Sequence, residues 1–471
     1  MNDQLIQPPL ESFCIKGLHG YKDIRIDFSG ESTVVVAENG TGKTTVLNAL
    51  NAFITRRFHR LASISFESIE CKFRGAPLPI SISKSQLTSK REGSSEVLSS
   101  LASMGSVSEA ALAEFISNTY VPGNIWQLRE NPIVNQVYMN SPYDWDALEE
   151  VFSELYQSLD SSLTDVAKSV SEEVKSHMEG IDVIFLPTYR RIERPVLRPS
   201  RPRQPPHRRP PLAKAAHHDD MAFGLADVQE RLVQLSEDIE RRSNIEYRNL
   251  SARVLQDMLT RQDNSDNVSA SSLPDVNALG LFFSRVDRTA KTSSSLMLHR
   301  IQELYDTGHI NDTENKFLRY FLSQLSQVIE ETRETELVVE QFVAVCNSYL
   351  TLSSDEKSLT FDARTLRVVV QNTWSNDPIS LDDLSSGEKQ IVSLMSHLHL
   401  SPRPKLVLID EPELSLSIDW QRKVLPDIAN SPSVVQLLAI THSPFVFENE
   451  LDEFAAPLKV SRRERGGDAA S

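Results

Sequence analysis

Ile24 and Ile26 alternate with Arg25 and Asp27, the two-residue period of a strand with one buried face. The unbroken run Val34-Val35-Val36 predicts a strand buried on both faces. Residues 11–37 thus read as strands around a turn. The period then lengthens: Val46, Leu47, Leu50 and Phe53 share one face of a helix predicted over Thr44 to Phe58. Short strands are expected near 69–73 and 80–82, and loops with short helices over 88–120, which is rich in Ser, Gly and Glu. Residues 147–180 read as helical, and Val183-Ile184-Phe185-Leu186 as another buried strand. Val228, Leu232, Leu235 and Ile239 recur at heptad-like spacing in a helix over 224–262; Leu318, Leu322, Leu325 and Ile329 do so over 313–352. Helices of this size, ~35 residues, are ~50 Å long, the length of an arm. From Leu366 to about Leu458 strands and helices alternate again. The pattern predicts an α/β fold split in sequence around a helical-hairpin (short coiled-coil) insertion.

The chain has 471 residues and a net charge of −16, which argues against wholesale coating of nucleic acid while leaving room for a local basic strip. Residues 194–216 are such a strip, dominated by Pro, Arg and His, and repeated proline forbids helix or ladder there. It reads either as a phosphate- or partner-binding loop or as a solvated linker. Cys14, Cys71 and Cys346 are scattered, so neither a disulfide framework nor metal-ligand spacing is present, and a reducing cytoplasm is the simplest compartment. Met1 to Pro9 is polar, unlike a secretory leader, and no apolar run approaches the ~20 residues that cross a bilayer.

Four motifs carry chemistry. Ala37-Glu38-Asn39-Gly40-Thr41-Gly42-Lys43-Thr44 sits between a strand and a helix. Its glycines let backbone N–H groups curl around phosphate oxygens, Lys43 reaches the outer phosphates, and the Thr44 hydroxyl suits Mg²⁺. Leu406-Val407-Leu408-Ile409-Asp410-Glu411-Pro412 is a buried strand ending in two acids, with Asp410 suited to hold Mg²⁺ and Glu411 to polarise a water. Apolar strands often end in acidic turns, but a phosphate loop demands a carboxylate for its metal. Leu384-Ser385-Ser386-Gly387-Glu388-Lys389-Gln390 starts a helix; Ser385 and Glu388 have capping-box spacing, and such a helix N-terminus also attracts anions. Leu438-Ala439-Ile440-Thr441-His442-Ser443-Pro444 ends a strand at a polar turn with one histidine.

As an ordered set these stretches resemble the ABC-type ATPases shared by chromosome-structuring (SMC), recombination-mediator (RecF) and overcoming-lysogenization-defect (OLD) proteins, with Walker A at 37–45, signature at 384–390, Walker B at 406–412 and switch histidine His442. Glu413-Leu414-Ser415-Leu416-Ser417 resembles the ELxLH stretch of the last group, with Ser417 in place of the histidine. The resemblance implies ATP and Mg²⁺ as cofactors. It implies a nucleotide site of Asn39, Gly40, Thr41, Gly42, Lys43, Thr44 and Thr45, completed by Ser385 and Gly387 of a second copy in a head-to-head dimer or higher homo-oligomer. Thr44 and Asp410 would hold the metal, Glu411 would activate water and His442 would sense the γ-phosphate. The implied segments are 1–90 (head, first half), 91–223 (insertion with strand 183–186 and loop 194–216), 224–352 (helical arm) and 353–471 (head, second half).

Phe66-Glu67-Ser68-Ile69-Glu70, Leu186-Pro187-Thr188-Tyr189-Arg190-Arg191-Ile192-Glu193 and Phe223-Gly224-Leu225-Ala226-Asp227-Val228 are similar to stretches of compact anti-phage ATPases, the AriA subunits of PARIS and, less closely, the PtuA subunits of Septu. Such ATPases work beside a separate effector. About 30 residues follow His442, too few for a C-terminal TOPRIM nuclease, so the effector is expected on another chain, as a TOPRIM-type nuclease, with a phage protein as trigger. Two alternatives stay open: a DNA-repair ATPase of the recombination-mediator sort that clamps DNA on binding ATP, and a binding module that uses ATP only to lock its assembly.

Overall fold

The computed structural model describes residues 7–38, 40–87, 95–118, 120, 128–129, 131–161, 163–187, 225–260, 273–286, 291–353, 356–414 and 416–463. Asn39, Arg190, Arg191, Ser415 and the basic strip 194–216 lie outside them. The strands are β1 (Leu10–Leu18), β2 (Lys22–Asp27), β3 (Ser32–Val36), β4 (Ser68–Phe73), β5 (Ile80–Ser83), β6 (Asp182–Leu186), β7 (Lys357–Asp362), β8 (Arg367–Asn372), β9 (Pro378–Ile379), β10 (Lys405–Asp410), β11 (Val434–Thr441), β12 (Ala455–Pro457) and β13 (Lys459–Arg462). The chain packs as two compact units, Met1–Ala222 with Pro402–Ser471, and Phe223–Ser401.

The first unit holds two sheets. One is all-parallel, in the order β12-β3-β11-β10-β6. Its central strand β10 is buried throughout, as a strand covered on both faces requires, while the edge strand β12 is largely exposed. The other is antiparallel, in the order β13-β2-β1-β4-β5. Alternate residues Leu406, Leu408, Leu438 and Ile440 enter one core with Phe13 and Ile15 of β1 and Val46, Leu50 and Phe53 of the helix Lys43–Ile54. The fully buried Gln436 fastens the two sheets. Its Oε1 accepts from Leu10 N–H, and its Nε2 donates to the Leu10 and Gly30 carbonyls, so the amide is satisfied without water.

The helix after β3 is shorter than its apolar pattern suggests. It ends at Ile54 because Thr55 folds back, its Oγ1 donating to the Asn51 carbonyl, and Arg56 turns left-handed (φ 62°); Phe58–Leu61 is a separate turn of helix. Helices Trp145–Ser161 and Asp165–His177 occupy the stretch read as helical. The break falls at Thr164, whose hydroxyl accepts from Ala167 N–H and caps the second helix.

The second unit is built on the helices Leu225–Thr260 and Lys316–Ser353. Tyr320 Oη, near the start of the later helix, donates to Asp257 Oδ2 near the end of the earlier one, so the two run antiparallel. Leu250, Val254, Leu322, Leu325 and Val328 share a core there with Leu279 and Phe282 of the helix Val276–Val286. A buried ion pair, Arg285 with Glu336 at 2.5 Å, ties that short helix to Lys316–Ser353, and Arg285 also donates twice to the Ala363 carbonyl. The sheet β7-β8-β9 and the helix Ser386–His399 complete the unit. Among the described residues no helix is long and apolar enough to cross a membrane.

Candidate functional site

Strand register decides where the chemistry gathers. Val35 pairs with Ile440, Ile440 with Asp410, and Val36 with Thr441, so β3, β11 and β10 end in one row. The phosphate loop, Glu411 and His442 each follow one of these ends. The carboxyl edge of a parallel sheet is where open α/β folds bind ligands.

The loop is held on that edge by the Ala37 N–H, which donates to the Thr441 carbonyl at 3.1 Å. Gly40 (φ 80°) and Gly42 (φ 104°) adopt the left-handed backbone that a side chain resists. A Cβ on Gly42 would also come within 3.1 Å of Ile24 Cδ1, whereas one on Gly40 would meet open space. Gly42 is the N-cap of Lys43–Ile54, so the helix starts on the loop and points its N–H groups toward that space.

Lys43 is buried (5% exposed), and its Nζ lies 2.9 Å from Glu411 Oε1. The Thr44 hydroxyl donates to Asp410 Oδ2 at 2.7 Å. Glu411 stands in the left-handed region (φ 50°), a strained conformation for a non-glycine residue and one that clusters at functional sites. Its N–H donates to the Ile440 carbonyl at 2.8 Å, which fixes the turn that separates the two acids. Thr41 donates through Oγ1 to the Glu38 carbonyl, and Thr45 lies on the helix, partly buried.

The residues fit Mg-ATP. A left-handed glycine loop at a helix N-terminus offers N–H donors to phosphate, and the hydroxyl–carboxylate pair of Thr44 and Asp410 is a hard-oxygen set of the kind Mg²⁺ prefers. Lys43, Thr44, Asp410, Glu411 and His442, chosen from separate motifs, are thus brought together, while Asn39 lies outside the described residues.

The sequence names Glu413 and Thr441 only within longer stretches, with no role of their own, and Gln421 not at all. Glu413 is buried. Its Oε2 accepts from Thr441 Oγ1 at 2.8 Å, and its Oε1 accepts from the His442 N–H at 3.3 Å and lies 3.0 Å from His442 Nδ1. Gln421 donates to the Glu413 and Leu416 carbonyls and accepts from Ser443 Oγ, tying the turn after β10 to the turn after β11. A third acid at the spacing Asp410-Glu411-Pro412-Glu413 was the available signal. Ser417 is the N-cap of the helix Ile418–Ala429 without a side-chain capping bond.

In the second unit the capping box at the signature stretch is formed. Ser385 Oγ accepts from Glu388 N–H at 3.3 Å, and Glu388 Oε2 accepts from Ser385 N–H at 2.7 Å. Lys357 Nζ reaches the same Glu388 oxygen at 3.0 Å. Burial alone would raise the Glu388 carboxyl; the Ser385 N–H and the Lys357 ammonium outweigh it and hold the group below the ordinary glutamate value. Ser385 is exposed and Gly387 buried.

Residues 227–448 match a family model described as "AAA domain, putative AbiEii toxin, Type IV TA system", and residues 14–134 match a second, "AAA domain". A curated relative, "Retron Vc95 probable ATPase" of Vibrio cholerae serotype O1 biovar El Tor, is 26% identical over 181 residues, 35% of this chain. The match spans only about a third of that relative's length (34%). Among solved structures the chain is similar to a Pyrococcus furiosus Smc head domain bound to the C-terminal domain of ScpA (14% identity, TM-score 0.35, covering 97% of this chain and 96% of that one). It is also similar to an SmcHead bound to the C-winged helix domain of ScpA (11% identity, TM-score 0.33, covering 97% and 98%). Both matched regions are described as AAA domains, and together they take in the phosphate loop and the strand that ends at Asp410.

Proposed function

We propose that this chain binds and hydrolyses Mg-ATP as the ATPase subunit of a bacterial anti-phage defence system, in which it holds a separate effector and releases it on a phage trigger. The observation that carries the ATPase part is the convergence of Lys43, Thr44, Asp410 and Glu411, from loops 368 residues apart, into direct contact at one sheet edge. Lys43 and the loop N–H groups bind phosphate; Thr44 and Asp410 hold the metal, which neutralises charge on the phosphate oxygens. Glu411 takes the proton of the attacking water, and His442 faces the outer phosphate. Ser385 and Gly387 complete the site of a second copy, so that nucleotide controls an assembly. In this reading residues 1–90 and 353–471 are the two halves of the head, and 224–352 are its helical-hairpin arm. The defence role is supported by the names of the matched sequences, a retron ATPase and a domain described with a Type IV TA system toxin.

Two measurements test it. The purified chain should hydrolyse ATP in the presence of Mg²⁺, and Glu411→Gln should not; an inactive wild type overturns the ATPase reading. Purification from the native host should bring down a second polypeptide with nuclease or toxin activity, and capture of the chain alone with and without ATP overturns the effector reading.

A further inference from the structure

We infer that Lys357 is a positioning residue for the signature turn: its ammonium offsets the buried charge of Glu388, so that Ser385 can be presented to a nucleotide held by a second copy. The inference rests on the assembly reading above. Lys357 opens β7, and two elements of the same unit fix it there. It pairs with Asn372 of β8, and further along the strand Leu359 is clamped to the helix Lys316–Ser353. Asn347 Nδ2 of that helix donates to the Leu359 carbonyl at 2.8 Å, and the Leu359 N–H donates to Asn347 Oδ1 at 2.7 Å. From this strand Lys357 Nζ reaches two parts of the signature turn, Glu388 Oε2 at 3.0 Å and the Asp383 carbonyl at 3.3 Å.

The turn is acidic for a place that would meet phosphate: it holds Asp382, Asp383 and Glu388. The two aspartates are exposed, where water and salt screen them. Glu388 differs. Its side chain is 4% exposed, against 23% for Lys357, so its charge is poorly screened. The turn still needs its oxygen, because Oε2 accepts the Ser385 N–H at 2.7 Å and closes the capping box. An ammonium on that same oxygen keeps the acceptor in place and neutralises its charge. Without the ammonium, a bare carboxylate stands within the first turn of the helix and opposes any anion brought to Ser385. The lysine is therefore needed only while residue 388 carries a charge. Glu388→Gln keeps an oxygen for the Ser385 N–H and carries none, so it should make Lys357 dispensable. A role of Lys357 in packing, or in holding the Asp383 carbonyl, would not be relieved this way.

The experiment has two arms. The first uses the full chain with Glu411→Gln as the parent, to hold the ATP-bound assembly, and mass measurement gives the ATP concentration at half-maximal assembly. Adding Lys357→Met should raise that concentration by on the order of tenfold. Adding Glu388→Gln as well should return it to the parent value. An unmoved midpoint with Lys357→Met, or no recovery with Glu388→Gln, overturns the proposal. Should Lys357→Met not fold, the doubly substituted chain decides alone, since it strands no charge: parent-like assembly is expected, and weak assembly overturns the proposal. The second arm keeps Glu411 and mixes Lys357→Met with Lys43→Ala. A mixed pair has one whole site, with Lys43 from the first copy and an intact signature turn from the second. ATP hydrolysis by the mixture should exceed the mean of the two variants measured apart, which a copy that is merely misfolded could not bring about; no excess overturns the proposal. A parent that does not assemble in ATP sinks the assembly reading and this inference with it, whereas a parent that assembles leaves any failure to Lys357 alone.

Discussion

Lys43 Nζ and Glu411 Oε1 lie 2.9 Å apart, so the lysine of the phosphate loop and the acid beyond β10 neutralise each other across the sheet edge. In the proposed function, phosphate at the loop would compete with Glu411 for the ammonium and free the carboxylate to meet water. Lys43→Ala removes the charge that phosphate needs. Calorimetric titration with Mg-ATP is expected to show no binding at concentrations that saturate wild type.

Glu411→Gln keeps the size of the side chain and the backbone bond to Ile440 but cannot accept a proton. The expected outcome is a kcat lower by about 10²- to 10⁴-fold, the usual contribution of a general base, with ATP still bound. Mass measurement in ATP should then show the variant as a stable species of at least two copies, while wild type returns to its nucleotide-free mass as ATP is consumed.

Arg285 and Glu336 are both about 4% exposed, so removing one strands the other charge in the interior. Glu336→Ala is expected to destabilise the second unit by about 3–5 kcal/mol, and replacing both by apolar side chains of similar volume by far less. Denaturant midpoints of the single and double variants read this directly.

The depressed Glu388 carboxyl gives a pH signature. A group whose pKa falls on folding contributes stability that is full above its unfolded value and lost as pH drops through its folded value. Glu388→Gln should unfold at a lower temperature than wild type at pH 7. The gap should close as the medium is taken below about pH 4. A gap that persists unchanged at pH 3 contradicts the assignment.

What the sequence made legible was local. Val34–Val36 and Leu406–Ile409 are strands because burial on both faces leaves no polar position, and the glycines of the loop announce themselves by the backbone they permit. The ordered motifs then located Lys43, Thr44, Asp410, Glu411 and His442. The spacing marks Glu413 as a third acid, but its contacts were not legible, because they depend on the parallel pairing of β10 with β11, which sets residue 413 beside 441 and 442. Nor was the C-terminal edge: β12 is three residues long, and its pairing with β3 follows from tertiary packing, with no period of its own to read. The early end of the helix Lys43–Ile54 escaped for a similar reason. The apolar pattern continues to Phe58, but Arg56 turns left-handed.

The order of strands in the parallel sheet has a consequence for synthesis. β3 lies between β11 and β12, and its phosphate loop hangs on a carbonyl at Thr441. At 5–20 residues per second, a ribosome needs roughly 20–80 s to travel from Val36 to Thr441, and throughout that time β3 has neither of its neighbours. The nascent chain must therefore carry an apolar, unpaired strand through that whole interval, exposed to chaperones and to aggregation alike. The phosphate loop gains its anchor only once Thr441 has been made.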